Sequence, residues 1–125
     1  MPSKTPSIEP GDSLRSLLKT ALEFRDEREW KQFHTFKDLA VTLSLEAAEV
    51  LEHSQWKTQK QLRAYLKKNR GEVADELADV LHVLLLLAEH AEIDLAKAFE
   101  AKMKQNRAKY PVEKARGSAK KYTEL

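Results

Sequence analysis

The sequence predicts an all-α fold, and three observations support this prediction. Apolar residues recur at intervals of three and four along most of the chain, which is the period of a helix that buries one face. The four prolines lie at positions 2, 6, 10 and 111, so residues 12–110 contain no proline that would break a helix. Runs of alternating β-branched residues, which are typical of strands, do not compete with this pattern. We therefore expect a bundle of four to five helices.

Composition narrows the class of protein and its organisation. Cysteine is absent, which excludes disulfides and thiolate metal sites and suits the reducing cytoplasm. We expect no signal peptide, because the first residues lack an apolar core, and no membrane partner, because the apolar run 80–88 is too short to cross a bilayer. We divide the chain into a flexible segment (1–11), a helical domain (12–111) and a basic tail (112–125).

The first predicted helix, at about 13–29, can be capped by Asp12 or Ser13 and carries leucines at helical spacing. An aromatic connector follows at residues 30–36. Its rings either fix the connector onto the bundle, which composition alone favours, or Trp30 and His34 line a pocket in which the indole stacks on a flat ligand.

The helix predicted over about 36–54 is central to the functional interpretation. Thr35 and Asp38 are placed to cap its start. At about 100° per residue, apolar side chains cover most of its circumference, and a narrow polar seam runs between them. The seam contains Thr42, Glu46, Glu49 and His53. Carboxylates between apolar walls are unfavourable unless a cation or partner stabilises them, so the seam predicts a metal site.

Two further helices are predicted between residues 59 and 91, the first basic and the second partly acidic. Thr58 and Gln61 form a capping box for a basic helix at about 59–69, which Gly71 is expected to end or bend. The helix at about 72–91 has one acidic arc in its first half, formed by Glu72, Asp75, Glu76 and Asp79. It is apolar over most of its remaining surface, so it must be central, and we expect the chain to self-associate in order to cover it.

The last predicted helix, at about 95–109, begins at Asp94 and ends before Pro111. Acidic and basic residues are divided unevenly along this part of the sequence. Residues 72–100 carry eight acidic side chains against Lys97 alone, and residues 102–121 carry eight basic ones against Glu113 alone. One part of the chain is therefore suited to a cation and another to an anion such as a polyphosphate.

The acidic pairs of the two apolar helices define a candidate metal site. If these helices pack side by side, four carboxylates converge, and four hard oxygen donors favour Mg²⁺ or Mn²⁺ over zinc. Mg²⁺ often binds substrate phosphates jointly with protein carboxylates, so the site indicates phosphate chemistry. A di-iron centre is disfavoured, because Asp79 and His82 provide the one approximate Glu-x-x-His motif. We interpret His53 and His82 as packed or partly solvated histidines.

Four segments in a fixed order are distinctive, together with the C-terminal segment 102–125 that follows them. The four are 24–34, Glu46-x-x-Glu49, 55–57 and 75–80. Together they resemble the MazG-like all-α nucleoside triphosphate pyrophosphohydrolases, and most closely the dCTP pyrophosphatase branch. The resemblance implies Mg²⁺-dependent cleavage of the α–β phosphoanhydride, with Mn²⁺ as a possible substitute, in nucleotide-pool sanitation. It also implies assembly as a dimer or tetramer.

The resemblance further implies roles for individual residues. The residues matching Mg²⁺-binding carboxylates are Glu46, Glu49, Glu76 and Asp79, with Glu46 or Glu49 as the proton acceptor. Those matching the base-binding rings and the nucleotide-contacting loop are Trp30, Trp56, Lys31, Gln32, Phe33 and His34. The residues that match phosphate-side contacts are Lys102, Asn106 and Lys109.

The sequence departs from the family pattern at two places. Leu45 and Ala48 stand where glycine accompanies the first glutamate pair, and Val83 stands where relatives often carry a tyrosine near the substrate. The missing hydroxyl bears on base and sugar preference, not on the metal chemistry. The alternative function is a non-catalytic helical oligomer acting as a binding or regulatory module. Nucleic-acid binding is poorly supported, because Tyr110 and Tyr122 are the only stacking aromatics near the basic tail.

Overall fold

In the computed structural model, which describes residues 13–125, all of the regular secondary structure is helical. The described range contains five long helices and a short sixth: α1 (Leu14–Glu27), α2 (Phe36–Glu52), α3 (Gln59–Lys68), α4 (Arg70–His90), α5 (Leu95–Lys109) and α6 (Val112–Ala115). Two 3₁₀ turns lie at Lys31–Phe33 and Tyr122–Glu124. The predicted all-α fold is confirmed. The segment 1–11 and the alternative cap Asp12 lie outside the described residues.

Side-chain caps mark the start of four helices, α1, α2, α3 and α5. The Thr58 hydroxyl accepts a hydrogen bond from the Gln61 amide at 3.2 Å, and the Gln61 side chain accepts one from the Thr58 amide at 2.8 Å. This is the predicted capping box. The predicted caps of α1, α2 and α5 are also confirmed, since Ser13, Thr35 and Asp94 each accept a hydrogen bond from the backbone amide three residues further on.

The boundary between α3 and α4 lies at Asn69, so the prediction that Gly71 ends or bends α3 is wrong. The Asn69 amide donates to the Tyr65 carbonyl at 2.8 Å and closes α3, and α4 begins at the next residue. Glycine ends a helix by taking up a positive φ. Gly71 does not adopt one and lies inside the first turn of α4.

The chain divides into two compact units, one ending at Glu92 and one spanning Ile93–Leu125. In the first unit, α4 packs most extensively against α2 and also contacts α1 and α3. The buried apolar residues are few and lie mainly in the second half of α4: Ala21, Leu39, Val83, Leu85, Leu86 and Ala88. The predicted functional division of the chain after Pro111 is not the same as this division into compact units, and it stays a prediction.

The second unit contains α5, α6 and the C-terminal residues. The Tyr110 and Tyr122 rings meet edge to face with their centroids 5.9 Å apart, and the Lys109 ammonium lies 5.0 Å from the Tyr122 ring centroid. These contacts connect the end of α5 to the residues that are predicted to form a basic tail. Across residues 13–125, no helix has both the length and the hydropathy needed to cross a membrane.

Candidate active site

The four carboxylates predicted to converge lie on α2 and α4, the two helices that pack most extensively. Glu46 and Glu49 are three residues apart on α2, and Glu76 and Asp79 have the same spacing on α4, so each pair occupies one helix face. The negative charges of the other three carboxylates all act on Glu46. The structure therefore places the three other predicted carboxylates close enough to Glu46 to interact with it electrostatically.

Glu46 lies at the centre of this cluster. Its Oε2 atom is buried and has no hydrogen-bond partner among the described residues. Burial raises the pKa of the Glu46 carboxyl above its ordinary value, and the charges of Glu49, Asp79 and Glu76 raise it further. An unpartnered buried oxygen beside three other carboxylates is unfavourable, so this position requires a proton or a cation.

Glu76 contacts His53 directly, and His53 in turn contacts a residue of α3. The Nε2 atom of His53, at the C-terminal end of α2, pairs with Glu76 Oε2. The Nδ1 atom of the same ring lies 2.5 Å from the hydroxyl of Tyr65 on α3. The His53 side chain is 12% exposed, which agrees with its interpretation as a packed histidine, but its direct contact with a candidate ligand was not predicted.

The donor set fits a divalent cation in composition. All four side chains offer the hard oxygen ligands that Mg²⁺ and Mn²⁺ prefer, and Glu46 Oε2 still lacks a partner. Within residues 13–125, however, no three His, Asp or Glu side chains are arranged so that they would hold an ion as they stand. Ion binding therefore requires the carboxylates to turn towards one another, which their mutual repulsion opposes until a cation neutralises it.

The predicted nucleotide-contacting connector lies against α1. The Trp30 amide donates to the Arg25 carbonyl at 3.1 Å, and the Gln32 side chain donates to the Glu29 carbonyl at 2.9 Å. Glu29 allows this tight reversal by adopting a φ of 56°. Lys31 and Phe33 are exposed, whereas His34 is half-buried. Burial lowers the pKa of His34, and the nearby positive groups, of which Arg25 contributes most, lower it further.

A series of aromatic contacts connects Trp30 to α4 through Phe24. The Trp30 ring meets Phe24 edge to face with centroids 5.7 Å apart, and Phe24 meets His82 in the same way at 5.8 Å. Phe24, His82 and Asp79 line an open, mostly apolar groove of about 430 Å³ between α1 and α4. Sequence reasoning missed Phe24 and His82 as groove residues, because their helical spacing is also that of core residues.

Trp56 lies apart from this groove. It adopts a φ of 64°, its side chain is 91% exposed, and it lines a second groove of about 650 Å³ with Lys57, Gln61 and Tyr65. Because so exposed an indole is not packed on another ring, the two tryptophans do not form a stacked pair within one chain. Their predicted roles in binding the base stay predictions.

The remaining predicted positions fall in different environments. Val83 is buried in the core of the first unit, so it offers no side chain to a ligand in this arrangement. Lys102 and Asn106 are one turn apart on α5, and Lys109 lies against Tyr122 within the second unit. The assignment of these three residues to phosphate contacts stays a prediction.

The raised pKa of Glu46 predicts a dependence of stability on pH. Between the ordinary and the raised pKa, the folded protein holds a proton that the unfolded chain has released, so the free energy of unfolding falls as pH rises through this window. The penalty is fully present above the window. In chelator at about pH 7.5, Glu46→Gln should therefore raise the melting temperature, and the gain should vanish once the pH is well below the ordinary glutamate pKa of 4.5.

Glu52→Gln is the matched control, because Glu52 is an exposed glutamate of the same helix outside the acidic cluster. It should leave the melting temperature unchanged in a scan followed by circular dichroism. A Glu46→Gln protein that is no more stable than the wild type at neutral pH would contradict the assigned electrostatics.

Comparisons with known proteins converge on one group. The model of the MazG-like family matches residues 41–125. The chain is 40% identical over 121 residues to dCTP pyrophosphatase 1 of Rattus norvegicus, covering 95% of this chain and 71% of that protein. The identity to dCTP pyrophosphatase 1 of Homo sapiens is 38% over 121 residues, with the same coverage. The structure is also similar to a pyrophosphatase of Archaeoglobus fulgidus, with a TM-score of 0.75 and 41% identity over 86% of this chain and 99% of that one.

Proposed function

The chain belongs to the MazG-like family, and from this premise we propose that it is a dCTP pyrophosphohydrolase. It converts dCTP and water to dCMP and pyrophosphate, and so removes dCTP or a modified form of it from the nucleotide pool. The observation that carries this proposal is the cluster of four carboxylates around Glu46, which lies beside an apolar groove that Asp79 also lines. The dCTP pyrophosphatases at 38–41% identity support the choice of substrate.

We assign Glu46, Glu49, Glu76 and Asp79 to a divalent cation, with Mg²⁺ as the physiological ion and Mn²⁺ as a substitute. Their oxygen-only donor set and the unpartnered Glu46 Oε2 support this assignment. When bound, the ion would neutralise charge on the triphosphate and favour attack at phosphorus. The repulsion among the carboxylates is the property of this chain that makes the site selective for cations.

Glu46 is the residue best suited to accept a proton from the attacking water. Its Oε2 atom is buried and has no hydrogen-bond partner among the described residues, so this oxygen is free to accept a proton from water. The water oxygen forms a bond to the α-phosphorus as its proton passes to Glu46, and the bond from the α-phosphorus to the bridging oxygen breaks. The electron pair leaves with pyrophosphate. The residue types alone left both Glu46 and Glu49 open for this role, and the buried, unpartnered Oε2 atom favours Glu46.

The nucleoside end of the substrate fits the groove between α1 and α4. Phe24 and Asp79 lie in its wall, and the Trp30 ring packs edge to face on Phe24, so a base bound there leaves the phosphates near the carboxylates. Because Val83 is buried and carries no hydroxyl, base selection in this chain depends on stacking and groove shape.

We further propose that the protein is a homo-oligomer, a dimer or a tetramer. No large apolar side chain of the described residues is fully buried, and the two central helices expose several of them: Val41, Leu45, Leu51 and Leu77. An apolar surface of this kind is covered in stable proteins by a partner. Trp56, at 91% exposure, is then available to a nucleotide held with the help of a second copy.

A panel of canonical and modified nucleoside triphosphates with Mg²⁺ tests the reaction. We expect pyrophosphate and a nucleoside monophosphate as products, with dCTP among the best substrates. Glu46→Gln and Asp79→Asn should each lower kcat at least about 100-fold, because each removes a charge from the cation site.

Glu52→Gln serves again as the control and should retain wild-type turnover, while circular dichroism verifies that all variants are helical. Release of orthophosphate would refute the proposed bond cleavage. Absence of turnover on every triphosphate would favour the alternative of a non-catalytic binding module.

Trp30→Ala tests the stacking role of the connector. Loss of base–aromatic stacking is worth about 1–3 kcal/mol, so KM for dCTP should rise about 10-fold with little change in helicity. Phe36→Ala removes an exposed ring at the start of α2, outside the segment 30–34 that is assigned to the nucleotide, and should leave KM unchanged. An unaltered KM and an unaltered base preference in Trp30→Ala would assign Trp30 to packing alone.

Leu77→Lys tests the proposed oligomer, because a charge placed on the exposed face of α4 would have to be buried at the interface. Light scattering after size exclusion should show a lower molecular mass than for the wild type. Leu66→Lys, on the outer face of α3, should keep the wild-type mass. A monomeric wild type would rule out this part of the proposal.

A further inference from the structure

The contact between His53, Tyr65 and Glu76 joins three helices at one candidate ligand. His53 ends α2, Tyr65 lies in the middle of α3 and Glu76 lies in the first half of α4. The His53 ring is packed between the other two groups, with its centroid 5.5 Å from that of the Tyr65 ring. The Lys57 ammonium lies 4.2 Å from the Tyr65 ring centroid on α3. The Tyr65 ring therefore contacts both His53 and Lys57.

Hydrogen-bond chemistry gives the contact a direction. A carboxylate only accepts hydrogen bonds, so His53 Nε2 donates to Glu76 Oε2. In the neutral imidazole the other nitrogen then has a free lone pair, and the Tyr65 hydroxyl donates to Nδ1 at 2.5 Å. Two hydrogen bonds thus run in series, from Tyr65 to His53 and from His53 to a single oxygen of Glu76.

We propose that His53 and Tyr65 are positioning residues that orient Glu76 as a cation ligand, an inference that rests on the proposed function. The hydrogen bond occupies Oε2 and leaves Oε1 of Glu76 for the ion. The charges of Glu46 and Glu76 repel each other, and the donor from His53 holds the Glu76 carboxylate in place against this repulsion. Partners of this kind, one step removed from a metal, contribute strongly to metal affinity.

A purely structural role would predict a different outcome. If the three residues only fastened α3 to α4, their replacement would lower the melting temperature without changing how tightly the folded protein binds a cation. The affinity for free Mn²⁺, measured on the full chain without nucleotide, separates the two roles. Electron paramagnetic resonance gives this dissociation constant directly, independent of turnover.

Four variants complete the experiment. His53→Leu removes both nitrogens and should weaken Mn²⁺ binding 10- to 100-fold. His53→Gln keeps an N–H donor that reaches towards Glu76 and should stay within about threefold of the wild type. Tyr65→Phe should weaken binding by a smaller factor, about threefold, because it removes only the distal donor. His90→Leu is the matched control at the other end of α4 and should bind Mn²⁺ as the wild type does.

The outcomes are decisive in each case. Wild-type affinity in folded His53→Leu, or a loss in His53→Gln as large as in His53→Leu, would overturn the positioning role. If His53→Leu does not fold, an unchanged dissociation constant in Tyr65→Phe overturns it instead. A wild-type protein that does not bind Mn²⁺ would refute the proposed cation site itself, which is a separate failure and is visible before any variant is compared.

Discussion

The repulsion of Glu46 by three other carboxylates of α2 and α4 is the constraint on which the site depends. Burial and three like charges act together on Glu46 and leave one of its oxygens without a hydrogen-bond partner within the described range. A fold selected for stability alone would replace such a group by an apolar side chain. The presence of Glu46 at this position is consistent with a stability penalty that cation binding relieves.

The same two helices also carry the exposed apolar surface. Leu45 directly precedes Glu46, and Leu77 directly follows Glu76, so the candidate ligands alternate with side chains that require a partner. This arrangement connects assembly to chemistry, because the helices that would be covered by a second copy are those that hold the carboxylates. In the proposed oligomer, the packing that positions the ligands would be completed only when the chains associate.

The acidic cluster and the aromatic groove divide the proposed reaction between them. The carboxylates act on the phosphates, whereas Trp30, Phe24 and His82 form an edge-to-face series that reaches from the connector to the groove. Asp79 belongs to both regions, since it lines the groove and acts electrostatically on Glu46. A nucleotide that spans the two regions would have its base and its phosphates selected by different physical interactions.

The sequence by itself determined the helices and the two acidic pairs, because periodicity and capping act between residues only three or four positions apart. The capping box at Thr58 and the seam at Glu46 and Glu49 are examples. The start of α4 was not predictable in this way, since Asn69 and Gly71 are both common at helix ends.

Contacts between distant parts of the chain were decided by the tertiary structure. His53 and Glu76 are 23 positions apart, and their pairing depends on how α2 and α4 are placed against each other. The separation of the Trp30 and Trp56 indoles depends likewise on where two connectors leave the helices. No local pattern encodes these distances, because side chains on different helices meet only after the helices have packed.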